Sequence, residues 1–95
     1  MLRSVREELL HSRAFEVEMR KFADIVVKNA ALQKQLQTAV DDGIDRKGFR
    51  DLYIRLAVDH GIQFTAEQME IAMQEQKQGK DKILPLMVQK LVSVL

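Results

Sequence analysis

Hydrophobic residues recur every three or four positions along most of this 95-residue chain. Four of them are spaced i, i+4, i+7 and i+11: Phe15, Met19, Phe22 and Val26. Leu32, Leu36 and Val40 continue a similar period in a second segment. This spacing is typical of one buried face of a helix, whereas apolar residues in a half-buried strand alternate with polar ones. The sequence therefore predicts an all-α protein, a compact bundle of four to five short helices.

Polar caps and glycines indicate where the predicted helices begin and end. The first helix is expected to cover roughly residues 4–28. Asn29 and Asp45 stand where the second and third helices begin, and their short side chains are typical N-caps. Gly43 and Gly61 follow the same two helices and are expected to take the left-handed conformation that ends a helix.

The clearest local signal is a capping box at the start of the fourth helix. Thr65 is followed three residues later by Gln68, and in this arrangement each side chain binds the backbone N–H of the other residue. Phe64 packed against Met69 would add the hydrophobic staple that often accompanies the box. The fourth helix is predicted to run from there to about Gln78.

The last stretch of the chain is mostly apolar. We therefore divide the sequence into a helical domain at 1–79 and a linker with a C-terminal apolar helix at 80–95, in which Pro85 fits a first helical turn. Three interpretations of this helix are open: a fifth core helix, a helix that docks in a partner's groove or self-associates, and a membrane-surface helix. For a partner-binding helix, the predicted contact residues are Leu86, Met87, Leu91, Val92 and Leu95.

Composition and charge limit the classes of function. A hydrophobic content of 46% argues against a disordered chain. The absence of cysteine excludes disulfides, thiol nucleophiles and cysteine-ligated metals. A net charge of +1 is too small to attract nucleic acid or anionic lipid strongly. The charged N-terminus lacks the apolar stretch of a signal peptide, and no run approaches the roughly 20 apolar residues of a membrane span. We expect a cytoplasmic protein.

No residues have the spacing of a catalytic, cofactor or metal site. His11 and His60 lie in separate helical segments without an HxxxH or HExxH neighbour, and His60 is expected to close a helix. Asp41, Asp42 and Asp45 lack the alternating ligands of a calcium loop. We predict no catalytic residues, no cofactor and no metal, and we do not expect an enzyme.

DNA binding through a helix-turn-helix is an alternative with one clear difficulty. Ala57 and Gly61 provide the small residue and the turn glycine of such a motif. The helix that would enter the major groove carries Glu67, Glu70 and Glu75, and phosphates repel carboxylates. A small DNA-binding regulator therefore stays an alternative, while a protein partner is expected in place of nucleic acid, membrane or a small-molecule substrate.

Three pieces of the chain form a recognisable set: Phe22, the segment NAALQKQL at 29–36 and the segment HGIQFTAEQM at 60–69. Together they resemble a small helical family from nitrogen-fixation gene clusters. The family pattern is an F…(D)xxLQxxL helix, a variable spacer and a G(F/I)xFTxxEL turn into the next helix. The resemblance covers about residues 15–76. The same domain serves as the leader of nitrile-hydratase-leader-type precursor peptides.

The resemblance implies a function in protein binding. Leader-type members end in a cleavage site, commonly Gly-Gly, and a Cys- or Ser/Thr-rich core, whereas this chain ends KLVSVL and has no cysteine. The chain is therefore similar to the free-standing branch, the nitrogenase-associated factors and their T type. That branch implies an accessory protein that binds nitrogenase, at the molybdenum–iron component, during assembly, turnover, repair or protection. The alternative is a leader-like recognition domain that docks on a peptide-modifying enzyme.

Overall fold

The computed structural model describes residues 15–77 and 83–95. These ranges contain five helices and no strand: α1 Phe15–Val27, α2 Ala30–Asp41, α3 Arg46–Asp59, α4 Ala66–Lys77 and α5 Leu86–Ser93. The predicted all-α bundle is confirmed. The part of the first helix predicted before Phe15 and the predicted end of the fourth helix at Gln78 lie outside the described residues.

Consecutive helices are neighbours in the bundle. Each of α1 to α4 packs on the next helix in the chain, and α5 also packs on α2. The four apolar residues predicted to share one face of α1 are all buried. The apolar faces of the five helices thus meet in one core. No helix within the described residues has the length and apolarity needed to cross a membrane.

The second and third helices begin at the predicted caps. The Asn29 side-chain oxygen accepts a hydrogen bond from the backbone N–H of Leu32 at 3.1 Å. The Asp45 carboxylate accepts one from the N–H of Gly48 at 2.7 Å. Each cap satisfies a backbone donor that has no partner within its helix, and such a cap contributes about 1 kcal/mol.

The capping box before α4 is also confirmed. The Thr65 hydroxyl accepts from the N–H of Gln68 at 3.1 Å, and the Gln68 side-chain oxygen accepts from the N–H of Thr65 at 2.9 Å. Phe64 and Met69, the residues of the predicted hydrophobic staple, are both buried in the core. The local sequence therefore sets both the start of α4 and the direction in which the chain enters it.

Glycines end α2 and α3 in the predicted way. Gly61 has φ +79° and Gly43 has φ +90°, conformations that other residues rarely adopt. After α3, the N–H of Gly61 donates to the carbonyl of Val58 and that of Ile62 to the carbonyl of Ala57, both at 2.9 Å. This is the Schellman pattern, and the side chain of Ile62 is buried beneath it.

One cap was not predicted from the sequence. The Gln33 side-chain amide donates to the carbonyls of Val26 at 2.9 Å and Val27 at 3.1 Å, at the end of α1. The Asn29 side chain thus caps the start of α2, and the Gln33 side chain, one turn later, caps the end of α1. The two side chains together fix the turn between the first two helices.

Candidate partner-binding surface

The apolar C-terminal stretch is part of the core. Pro85, with φ −64°, caps α5 one position before the predicted first turn, and its carbonyl accepts from the N–H of Gln89 at 2.9 Å. Val88 is fully buried, and Ile83 and Leu84 just before the helix are buried as well. Because α5 packs on both α2 and α4, the first of the three interpretations, a fifth core helix, is the one that the fold shows.

The five residues predicted to contact a partner differ widely in exposure. Leu91 and Val92 are only 6% and 3% exposed, so a partner could reach them only if α5 left the bundle. Met87 and Leu95 are half-buried against the core. Leu86 is 65% exposed. Of these five side chains, Leu86 is therefore the most accessible in the folded bundle.

A shallow depression of about 290 Å³ lies between α1 and the segment that precedes α5. On one side are residues 83–85, and Leu86 follows them directly in the chain. The other side is formed by four residues of α1: Arg20, Ala23, Asp24 and Val27. Val27 lines this depression and is 59% exposed. We call the exposed residues Val27 and Leu86, together with the buried residues 83–85 that line the depression, the C-terminal surface.

A second groove, of about 490 Å³, runs along α2. One lining residue, Leu52, is half-buried on α3. Five others lie on α2, and the sixth is its C-cap: Ala31, Lys34, Gln35, Thr38 and Ala39, followed by Asp42. We call this the α2 groove. Sequence reasoning missed it because Leu32 and Leu36 define the apolar period of α2, and the groove face combines small and polar residues. The one sequence feature that could have indicated the groove is the spacing of four, three and four residues between positions 31, 35, 38 and 42.

The basic residues at the start of α3 lie near a carboxylate of α4. Arg46 and Arg50 each approach Glu70 at 3.9 Å. Such partly exposed pairs contribute little to stability. These pairs nevertheless place the Glu70 carboxylate beside Arg46 and Arg50. A helix-turn-helix would need positive charge there that no carboxylate offsets. With Glu67 in its first turn, α4 presents an acidic surface that phosphates repel.

His60 has the structural role expected for it. It is the C-terminal cap of α3, its Nδ1 lies 2.9 Å from the carbonyl oxygen of Leu56, and its ring centroid is 6.1 Å from that of Phe22. His11 lies outside the described residues. Within the part of the chain that the structure describes, no three His, Cys, Asp or Glu side chains are grouped so that they could hold a metal ion.

Tyr53 is buried at the centre of an aromatic cluster. Its ring meets that of Phe22 edge-on with centroids 4.8 Å apart, and the rings of Phe64 and Phe49 lie at 5.9 and 6.4 Å. The Tyr53 hydroxyl has no hydrogen-bond partner. Burial raises the pKa of this hydroxyl well above its usual range, because the ionised form would lose its hydration. The hydroxyl therefore stabilises the fold less than a hydrogen atom in its place would.

Tyr53→Phe is expected to raise the free energy of unfolding by about 1 kcal/mol, because it removes an unsatisfied buried polar group and keeps the ring. Urea denaturation at neutral pH measures this change. Since the folded-state pKa is raised, wild-type stability is complete below the unfolded tyrosine pKa of about 10 and falls as the pH rises above it. The variant lacks this alkaline loss. Destabilisation by Tyr53→Phe would show that the hydroxyl makes a hydrogen bond in solution.

Comparisons of the chain with protein-family models, with curated proteins and with solved structures found no match. A function for this chain is therefore inferred from its residues and from the surfaces that they form.

Proposed function

We propose that this chain is a non-enzymatic, cytoplasmic accessory protein that binds the molybdenum–iron component of nitrogenase during assembly, turnover, repair or protection. The observation that carries protein binding is the 65% exposure of Leu86 at the start of a helix whose other face is buried. The choice of nitrogenase as the partner rests on the family resemblance of residues 15–76.

The family-like residues have roles within the fold. Asn29 and Gln33 cap helices, Thr65 and Gln68 form the capping box, and Phe22 is buried in the aromatic cluster. Residues that make these capping and core contacts determine how the helices are arranged. We therefore expect the partner to contact other residues, and the C-terminal surface lies outside the family-like segments.

The chemistry of the C-terminal surface suits a protein contact. Burying an exposed leucine contributes about 1.5–3 kcal/mol, which is the size of an interface hot spot. Val27 extends the apolar area across the depression, while Arg20 and Asp24 provide polar groups at its side. An apolar centre with a polar rim is the usual composition of a protein interface.

The direct test measures binding of the purified full-length chain to purified molybdenum–iron protein by biolayer interferometry. Leu86→Lys is expected to weaken binding at least about tenfold, because it places a charge at the centre of the contact. Val58→Lys is the matched control, since Val58 is 48% exposed on α3 and lines neither depression. This variant is expected to bind like the wild type.

Two results would count against the proposal. If the wild-type chain does not bind the purified component, and affinity purification from nitrogen-fixing cells under turnover or stress also recovers no nitrogenase subunit, nitrogenase is not the partner. If the wild type binds and Leu86→Lys binds equally well, the partner is correct and the C-terminal surface is not the contact.

A further inference from the structure

The α2 groove has the geometry to receive another helix. Positions 31, 35, 38 and 42 follow the alternating four- and three-residue spacing that lines one side of a packed helix pair. Ala31 and Ala39 leave room for close approach, and interaxial distance depends on side-chain size at the contact. Leu52 of α3 adds a half-buried apolar side chain to the lining.

The carboxylates of α2 lie at the end of the helix where the helix dipole disfavours them. Lys34 lies in the first half of the helix, and Asp41 and Asp42 lie at its C-terminal end. Carboxylates are unfavourable there, because the C-terminal end carries the negative pole of the helix dipole. All three side chains are exposed, and none forms an ion pair with another described residue. Asp41 accepts a single neutral hydrogen bond, from Gln37. A cation supplied from outside would relieve this repulsion.

A second copy of the chain would carry a lysine in the required place. When two α2 helices pack antiparallel about a twofold axis near Thr38, Lys34 of one copy lies opposite Asp41 and Asp42 of the other, because these positions flank Thr38 at nearly equal distances. The symmetry generates the contact twice. We infer that this chain forms an antiparallel homodimer through the α2 groove, with Lys34 paired across the interface to the Asp41–Asp42 pair.

Charge reversal tests this interface on the full-length chain by sedimentation equilibrium. The wild type is expected to dimerise with increasing concentration, and more weakly as salt is added. Lys34→Glu alone and Asp41→Lys with Asp42→Lys are each expected to raise the dimer dissociation constant at least about tenfold, because attraction becomes repulsion at both symmetry-related contacts. An equimolar mixture of the two variants is expected to dimerise again, since each then carries the charge that the other lacks.

Lys21→Glu provides the matched control, because it makes the same charge change on the exposed surface of α1. It should leave the dissociation constant unchanged, and circular dichroism should show that every variant is folded. A wild type that stays monomeric at all concentrations overturns the inference. So does a dimer that neither reversal weakens, or two weakened variants that do not recover when mixed. The result is independent of nitrogenase binding, because only this chain is present.

Discussion

Replacing Phe22 with alanine is expected to lower the free energy of unfolding by about 3–5 kcal/mol, the range typical of a buried phenylalanine. Phe22 is fully buried in α1, and its ring contacts Tyr53 of α3 edge-on. Its centroid also lies 6.5 Å from that of Phe64, which precedes α4. The substitution therefore opens a cavity where three parts of the bundle meet. Domains of this size are stable by only about 5–15 kcal/mol, so a large share would be lost.

Urea denaturation followed by circular dichroism measures this loss. Phe22→Leu keeps most of the volume and is expected to cost less than about half as much as the alanine substitution. Val17→Ala, at a site that is 58% exposed on the same helix, should change stability by no more than about 0.5 kcal/mol. If Phe22→Ala lowered the free energy of unfolding no more than Val17→Ala does, the aromatic cluster would not be the centre of the core.

The sequence was sufficient to predict structural features that depend only on residues close together in the chain. The caps at Asn29 and Asp45 and the capping box at Thr65 each use a side chain that reaches a backbone N–H three residues away. The turns at Gly43 and Gly61 depend on the backbone freedom of a single residue. Such interactions form within one turn of the chain, so their residue types identify them before any packing is known.

Features that depend on tertiary packing could not be predicted. The stretch after Pro85 is apolar at almost every position, so its periodicity does not distinguish a core helix from an interface helix. Only the contacts of α5 with α2 and α4 show that Leu91 and Val92 face inward. The burial of Ile83 and Leu84 also follows from where α5 docks, because the segment has no helical period of its own.

The candidate surfaces were harder still to predict, because a surface is what packing leaves uncovered. Leu86 and Leu91 are the same residue type in the same short helix, yet one is 65% and the other 6% exposed. The α2 groove depends on Leu52, which reaches it from α3. The exposure of a side chain, and the lining of one groove by two helices, are both set only when the bundle is assembled.

The difference in exposure between Leu86 and Leu91 leads to the second large prediction. Leu91→Ala is expected to lower the free energy of unfolding by about 2–5 kcal/mol, because it leaves a cavity beneath the helix. Leu86→Ala removes the same atoms from the surface and should change stability by no more than about 0.5 kcal/mol. Urea denaturation of the two variants in parallel compares identical chemistry at buried and exposed sites.

Measuring partner binding on the same two variants separates core from contact. With α5 in the bundle, Leu86→Ala should weaken binding while Leu91→Ala, under conditions where it is still folded, should bind normally. The opposite outcome, with binding lost in Leu91→Ala and stability unchanged, would mean that Leu91 meets the partner directly. In that case α5 would leave the core when it binds, and the contact would be the apolar face of the helix and not its exposed first residue.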